Sequence, residues 1–251
     1  MNIFIAGGTS GIGYALARHY LDKGYCVGVC GRNLNKIPEN NYKNLKTFQT
    51  DVCDMNAVLS TLQSFLVDKN KLDIFVNCAG SYAEDVAGRI SYEEAEEMLQ
   101  TNILGTVNCF EAARKVMKSQ KKGNIAVIAS VSGILEYENS SLYTKTKRSV
   151  LQIADAYRRA LKPFGISVTA IAPGYIDTEK LRQLNQNDLS KKPFLTDVET
   201  AAFIISEAIE KQKKLIIFPS KMKWMMKSLS LLPSSLLNII MFRKAKWMKN
   251  D

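Results

Sequence analysis

Short runs of apolar and β-branched residues alternate along the chain with segments whose apolar positions recur every three to four residues. The runs fall at residues 2–6, 25–30, 45–50, 72–77, 124–129, 166–171 and 215–218. Each has the length of a strand, and near-continuous apolar character predicts a strand covered on both faces. Between them the helical period holds through 12–23, 55–68, 92–118, 142–161 and 197–211, with Pro163 and Gly165 ending the fourth of these helices. Strands that alternate with helices build βαβ units, so the pattern predicts an α/β fold: one doubly wound, seven-stranded parallel sheet flanked by helices. No repeat, low-complexity segment or Gly/Pro-rich linker divides residues 1–218. The longest irregular stretch, 174–195, follows a strand and has the length of a lid.

Composition narrows the class. A chain of 251 residues with 46% hydrophobic and 23% charged content excludes intrinsic disorder and a small disulfide-dependent scaffold. Cysteines at 26, 30, 53, 78 and 109 lack paired metal-ligand spacing, and the sequence opens directly on a buried strand rather than a cleavable leader. The expectation is a cytoplasmic protein with reduced thiols and no metal. His19, the single histidine, lies inside the first helix and reads as a packing or surface residue, which excludes triads and metal sites built on several histidines.

The net charge is +10, unevenly placed. Residues 211–251 hold nine Lys, one Arg and one Asp, a net of +9, whereas residues 1–210 hold 24 basic and 23 acidic residues. The body is nearly neutral and the C-terminal end is basic.

Candidate chemistry gathers where strands end. Gly7-Gly8-Thr9-Ser10-Gly11-Ile12-Gly13 closes the first strand and opens a helix, allowing backbone N–H groups to approach a pyrophosphate. Asn77-Cys78-Ala79-Gly80 ends the fourth strand, Ser130 the fifth, and Pro173-Gly174 the sixth. Tyr143 and Lys147, four apart, share one face of the next helix, so an ammonium can sit near a phenol and draw its pKa down from ~10.

Taken in order, these motifs resemble the short-chain dehydrogenase/reductase family from residue 2 to about 218. The resemblance rests on Gly7/Gly11/Gly13, Asp51-Val52, the Asn-Cys-Ala-Gly run, Asn102, Ser130, Tyr143-x3-Lys147, and Pro173-Gly174 leading to Thr178. It implies a Rossmann-type oxidoreductase that reduces a ketone or aldehyde, or oxidises the alcohol. Tyr143 would protonate the carbonyl oxygen, Ser130 would hydrogen-bond it, Lys147 would bind the nicotinamide ribose, and Asn102 would hold a proton-relaying water. The cofactor groove would comprise Gly7, Thr9, Ser10, Gly11, Ile12, Gly13, Asn77, Ala79, Gly80, Pro173 and Gly174. Asp51 and Val52 would contact adenine, and Ile176 and Thr178 the carboxamide. After the second strand comes Arg32-Asn33, with no acidic residue to hold ribose hydroxyls, and a guanidinium there favours NADP(H). The resemblance also implies a homodimer or homotetramer. Ala6 and Cys78 depart from the family pattern where backbone contacts dominate. The competing class is a non-catalytic NADP(H)-binding redox sensor or scaffold.

Residues 219–251 form a basic, apolar extension with helical character. Both tryptophans, Trp224 and Trp247, and five methionines are interleaved with lysines, while the uncharged stretch 228–242 is interrupted by Pro233 and too short to span a bilayer. Two readings stay open: peripheral contact of 221–251 with an anionic membrane, favouring a bulky or lipid-like substrate, or packing over the substrate cleft or another subunit. Nucleic acid is not expected, for want of a reading module.

Overall fold

The computed structural model describes residues 1–37, 42–85 and 90–247. The strands are β1 (Asn2–Ala6), β2 (Cys26–Gly31), β3 (Leu45–Gln49), β4 (Ile74–Asn77), β5 (Gly123–Ile128), β6 (Ile166–Pro173), β7 (Ile176–Asp177), β8 (Thr196–Asp197) and β9 (Leu215–Phe218). Among the described residues a seven-stranded parallel sheet runs in the order β3-β2-β1-β4-β5-β6-β9, the Rossmann arrangement, and β7 and β8 pair as a separate short ribbon. The helices are α1 (Gly11–Asp22), α2 (Met55–Leu66), α3 (Tyr92–Leu99), α4 (Gly105–Gln120), α5 (Leu142–Leu161), α6 (Glu179–Leu184), α7 (Val198–Glu210), α8 (Ser220–Leu229) and α9 (Ser234–Trp247).

Alternation along each strand splits the core into two layers. Phe4 and Ala6 of β1 join Phe65, Phe75 and Phe110 beneath α2, α4 and α5. Ile3 and Ile5 point the other way, into Leu16, Tyr20, Ile205 and Ile209 of α1 and α7. Helix starts follow their caps: Asp54 accepts from Asn56 N and Ala57 N, Ser91 and Glu94 make a capping box, and Asp197 accepts from Thr200 N. α5 gives way to a short 3-10 turn, Lys162–Phe164, and Gly165 at φ +68° redirects the chain into β6.

Two differences from the sequence pattern matter. The single helix expected over 92–118 is interrupted by a π-helical turn, Gln100–Leu104, between α3 and α4. The flanking residues Leu99 and Gly105 keep α-helical dihedrals, so the helix resumes after the turn, and no Gly or Pro within Gln100–Leu104 marks the interruption in the sequence. The stretch expected to be irregular, 174–195, carries β7 and α6, the latter started by Thr178 accepting from Leu181 N.

The C-terminal helices pack on the body. Met222, Met226 and Leu237 bury against Leu135, with Ile134, Tyr137 and Tyr175 around them. Asn238 Oδ1 accepts from Glu138 N at 2.9 Å, tying α9 to the loop after β5. The side chains of residues 242–247 and all of 248–251, including Trp247 and Met248, lie outside the described residues.

Candidate active site

The sheet order reverses on either side of β1, and a crevice opens there beyond the strand ends. Gly7 N and Gly8 N donate to Cys30 O at 2.9 and 3.1 Å, pinning the turn after β1 to the end of β2. Gly7 adopts φ +71°, and a Cβ there would stand 2.5 Å from Ala79 N. A Cβ on Gly13 would stand 2.2 Å from Gly7 O, so α1 starts hard against the turn and only glycine fits. Ser10 caps α1 without a side-chain hydrogen bond, and the first amide reaching back to it is Tyr14 N. The amides of Gly11, Ile12 and Gly13 therefore precede the first intrahelical bond and suit an anionic ligand. This side-chain-free cradle fits the diphosphate of a dinucleotide.

The opposite wall is a hydrogen-bonded frame. Asn77 Oδ1 accepts from Ala79 N at 3.0 Å, and Asn77 Nδ2 donates to Thr106 Oγ1 at 3.1 Å. Thr106 Oγ1 in turn donates to Asn102 O at 2.7 Å. Asn102, in the π-turn, accepts from Ser81 N at 2.8 Å and donates to Ser81 O at 3.0 Å and Thr146 Oγ1 at 3.1 Å. Gly80 lies between the groups this frame holds: a Cβ on it would be 3.1 Å from Lys147 Nζ and 3.3 Å from Asn102 Oδ1.

Lys147 Nζ is buried, donates to Ile128 O at 3.2 Å and stands 5.8 Å from the Tyr143 ring centroid. Burial, helped by the charge of Lys180, lowers its pKa to about 8. Tyr143 is flanked edge-on by Tyr82, with ring centroids 4.9 Å apart. Burial pushes the Tyr143 phenol up to about 12, against the downward pull of its hydrogen bond with Ser130. This reverses the direction expected from the sequence, because loss of hydration, with Tyr82 and Tyr175 close by, outweighs the hydrogen bond with Ser130.

The rim of the crevice beyond β2 and β3 is more open. Arg32 follows β2, is exposed, and pairs with Glu97 of α3 at 3.0 Å. Asn33 accepts from Asn35 N, capping a 3-10 turn, and Asp51 accepts from Cys53 N at 2.9 Å. Val52 is buried, with its carbonyl accepting from Asn108. At the other end Pro173 is buried, Gly174 N donates to Phe218 O at 2.8 Å, and Ile176 is buried in β7. Thr178 approaches the glycine turn, its Cγ2 lying 3.6 Å from where a Cβ on Gly11 would be. Thr9 is buried, close enough to Gly31 that a Cβ there would meet its Oγ1 at 2.7 Å.

Several neighbours carry no signal of their own in the sequence. Tyr82 and Tyr175 both raise the Tyr143 phenol, and Lys180 of α6 lies within electrostatic reach of Lys147, Arg32, Lys36 and Glu97. Each stands within two residues of a motif, which is the only hint the sequence offered. His19 lies between α1 and α7, its Nε2 2.9 Å from Ser206 Oγ and its ring edge-on to Phe203, away from this crevice. Among the described residues no group of His, Cys, Asp and Glu could hold a metal ion.

A parallel sheet in this order, a glycine cradle at its switch point and a Ser-Tyr-Lys-Asn cluster beside it define a dinucleotide-binding oxidoreductase. The family model described as short chain dehydrogenase matches residues 1–189, and the chain belongs to that family. It is 30% identical over 191 residues to an uncharacterized oxidoreductase of Staphylococcus aureus (strain MW2), covering 74% of this chain and 83% of the relative. A 3-oxoacyl-[acyl-carrier-protein] reductase of S. aureus (strain Mu50 / ATCC 700699) is 28% identical over 206 residues, 79% of this chain and 83% of that one. Among solved structures, one described as ElxO with NADP bound superposes with a TM-score of 0.77 at 26% identity, covering 86% of this chain and 96% of that one.

Proposed function

We propose that the protein is an NADPH-dependent reductase of a ketone or aldehyde, or runs the reverse alcohol oxidation, with Tyr143 as proton donor in the reduction. The observation that carries this reading is the assembly of Ser130, Tyr143, Lys147 and Asn102 around one wall of the glycine crevice. A dihydronicotinamide held along this wall would supply the hydride that the carbonyl carbon accepts. Tyr143 gives its proton to the carbonyl oxygen, completing the alcohol, and Ser130 holds that oxygen by a hydrogen bond. A phenol held at about 12 is protonated at neutral pH, the form that reduction requires. Lys147 binds ribose hydroxyls and, with a water at Asn102, returns a proton to Tyr143.

Arg32, and the lack of an acidic side chain at the end of β2, support a 2′-phosphate on the cofactor. NADP in the ElxO structure points the same way. Arg32, Asn33, Asp51 and Val52 serve the adenosine end, and Ile176 and Thr178 the carboxamide. A redox sensor needs only the groove, whereas this chain also assembles the proton-transfer set.

Residues 1–218 form the catalytic body of a cytoplasmic homodimer or homotetramer. Within the 219–251 extension, α8 and the described part of α9 pack on the loop after β5, and the extension has the composition for contact with an anionic membrane.

The test is NADPH oxidation by wild type and Tyr143→Phe across short, aromatic, steroid-like and long-chain carbonyl compounds. The variant is expected to bind NADPH as wild type does and to lose roughly 10²-fold or more in turnover, the scale of a general acid. Equal turnover would overturn the mechanism, and tight NADPH binding without turnover of any compound would favour the sensor.

A further inference from the structure

Helix α9 is apolar on two faces, and only one of them is used. Leu237 is buried and Met241 packs beside it, toward Leu135. Leu236, Ile239 and Ile240 lie on another side of the helix and are open to solvent, Ile239 at 53%. Leu231, 78% exposed, and Trp224 of α8, 62% exposed, add large exposed apolar groups to the same two-helix segment. A surface helix with two apolar faces has a second partner, because a single buried stripe satisfies an ordinary one.

Charge identifies that partner. No acidic residue occurs between Lys211 and Asn250, and the lysines stand among the exposed apolar groups: Lys227 Nζ lies 5.2 Å over the Trp224 ring and Lys221 Nζ 5.9 Å over Phe194. The sequence continues with Arg243, Lys244, Lys246 and Lys249. Two copies pairing face to face through this surface would set like charges against each other, which an anionic surface instead attracts. Neither α8 nor α9 is long and apolar enough to cross a membrane, so the pair lies in the interface plane.

The inward side of the same helices leads to the catalytic cluster. Met222 and Met226 of α8 pack on the loop after β5, which begins at Ser130, and near Tyr175 after β6. A Cβ on Gly174 would meet Met222 Cε at 3.2 Å. One side of this two-helix layer thus carries exposed apolar and basic groups, while the other packs two methionines on the loop after Ser130 and on Tyr175, a neighbour of Tyr143.

We propose that α8 and α9 seat the enzyme on an anionic bilayer through Trp224, Leu231, Leu236, Ile239 and Ile240, and that its substrate is a long-chain carbonyl lipid entering beneath them. The substrate class rests on the reductase reading above, whereas the docking face does not. The layer is the entrance, and Met222 and Met226 are the side chains the acyl chain slides past.

The experiment uses the full chain with vesicles of phosphatidylcholine alone or mixed with phosphatidylglycerol, read by co-sedimentation, and a long-chain ketone carried in the vesicles beside a short soluble one. Wild type is expected to bind the mixed vesicles, less so as salt rises. Ile239→Ser/Ile240→Ser changes only exposed positions and is expected to weaken vesicle binding about tenfold or more. The same variant keeps the melting temperature and short-ketone turnover of wild type, and loses turnover of the vesicle-borne ketone. Failure to bind the mixed vesicles, or equal binding by this variant, overturns the docking face. Self-association that the variant abolishes assigns the face to a second copy instead. Docking with Tyr143-dependent turnover of the short ketone alone overturns the substrate class. Turnover that survives Tyr143→Phe leaves the docking result standing and removes the reductase mechanism.

Discussion

Lys147 keeps an ammonium where burial makes one costly. Its pKa falls from 10.5 to about 8, so the folded chain binds that proton less tightly than the unfolded chain does. The penalty is present in full below pH 8 and is relieved as pH rises from about 8 to 10.5, where the unfolded lysine also loses its proton. A shift of this size corresponds to about 3 kcal/mol, and a neutral replacement gives back about 1 of it by leaving Ile128 O without its donor. Lys147→Met keeps most of the aliphatic stem and removes the charge. At pH 7 the variant is expected to be more stable than wild type by about 2 kcal/mol while losing turnover, with the stability gap closing toward pH 10. Thermal melts of both proteins from pH 7 to 10 check this. A variant less stable at pH 7, or a gap that does not narrow, would show that the ammonium is not held at a cost.

The π-turn between α3 and α4 places Asn102 where a regular helix would not. Its side-chain amide joins Ser81, on the strand-four loop, to Thr146, beside Lys147, and so ties two separate elements across the crevice. Asn102→Ala leaves Ser81 N and Ser81 O without their partner in a partly buried place. The expected cost is about 2 kcal/mol in urea unfolding, with a fall in kcat larger than any change in KM for NADPH, since the loop carrying Gly80 loosens next to Lys147. Unchanged kcat would reduce Asn102 to a structural bolt.

The turn also marks how far the sequence could be read. Strands such as Ile3-Phe4-Ile5 are covered on both faces, so their apolar runs announced them, and the helical period placed the starts of α2, α3 and α7 within a residue. Tyr143, Lys147, Ser130 and Asn102 were legible because their order along the chain is itself a pattern. Tyr82, Tyr175 and Lys180 were not, since their place beside Tyr143 and Lys147 comes from two loops and the short helix α6, whose paths no spacing encodes. The rise of the Tyr143 pKa was hidden for the same reason, as hydration is lost only when those loops close over the phenol.

For the molecule as a whole, the C-terminal helices act as a roof and not as a removable tail. Three apolar side chains, Met222, Met226 and Leu237, are buried against the loop that leads on from Ser130. Each such burial contributes about 1.5–3 kcal/mol, and a chain of this size loses about 2–4 °C of melting temperature per kcal/mol. Ending the chain at Ser220 is therefore expected to lower the melting temperature by roughly ten degrees or more. It also uncovers Leu135, Tyr137 and Tyr175, so hydrogen exchange should rise in 131–138 and around Tyr175 while β1 and β4 stay protected. Differential scanning calorimetry and exchange read by mass spectrometry would measure both effects. An unchanged melting temperature with unchanged protection in 131–138 would mean that the helices rest on the body without stabilising it. Loss of protection confined to that loop would instead separate a stable dinucleotide-binding body from a substrate side that the last two helices complete.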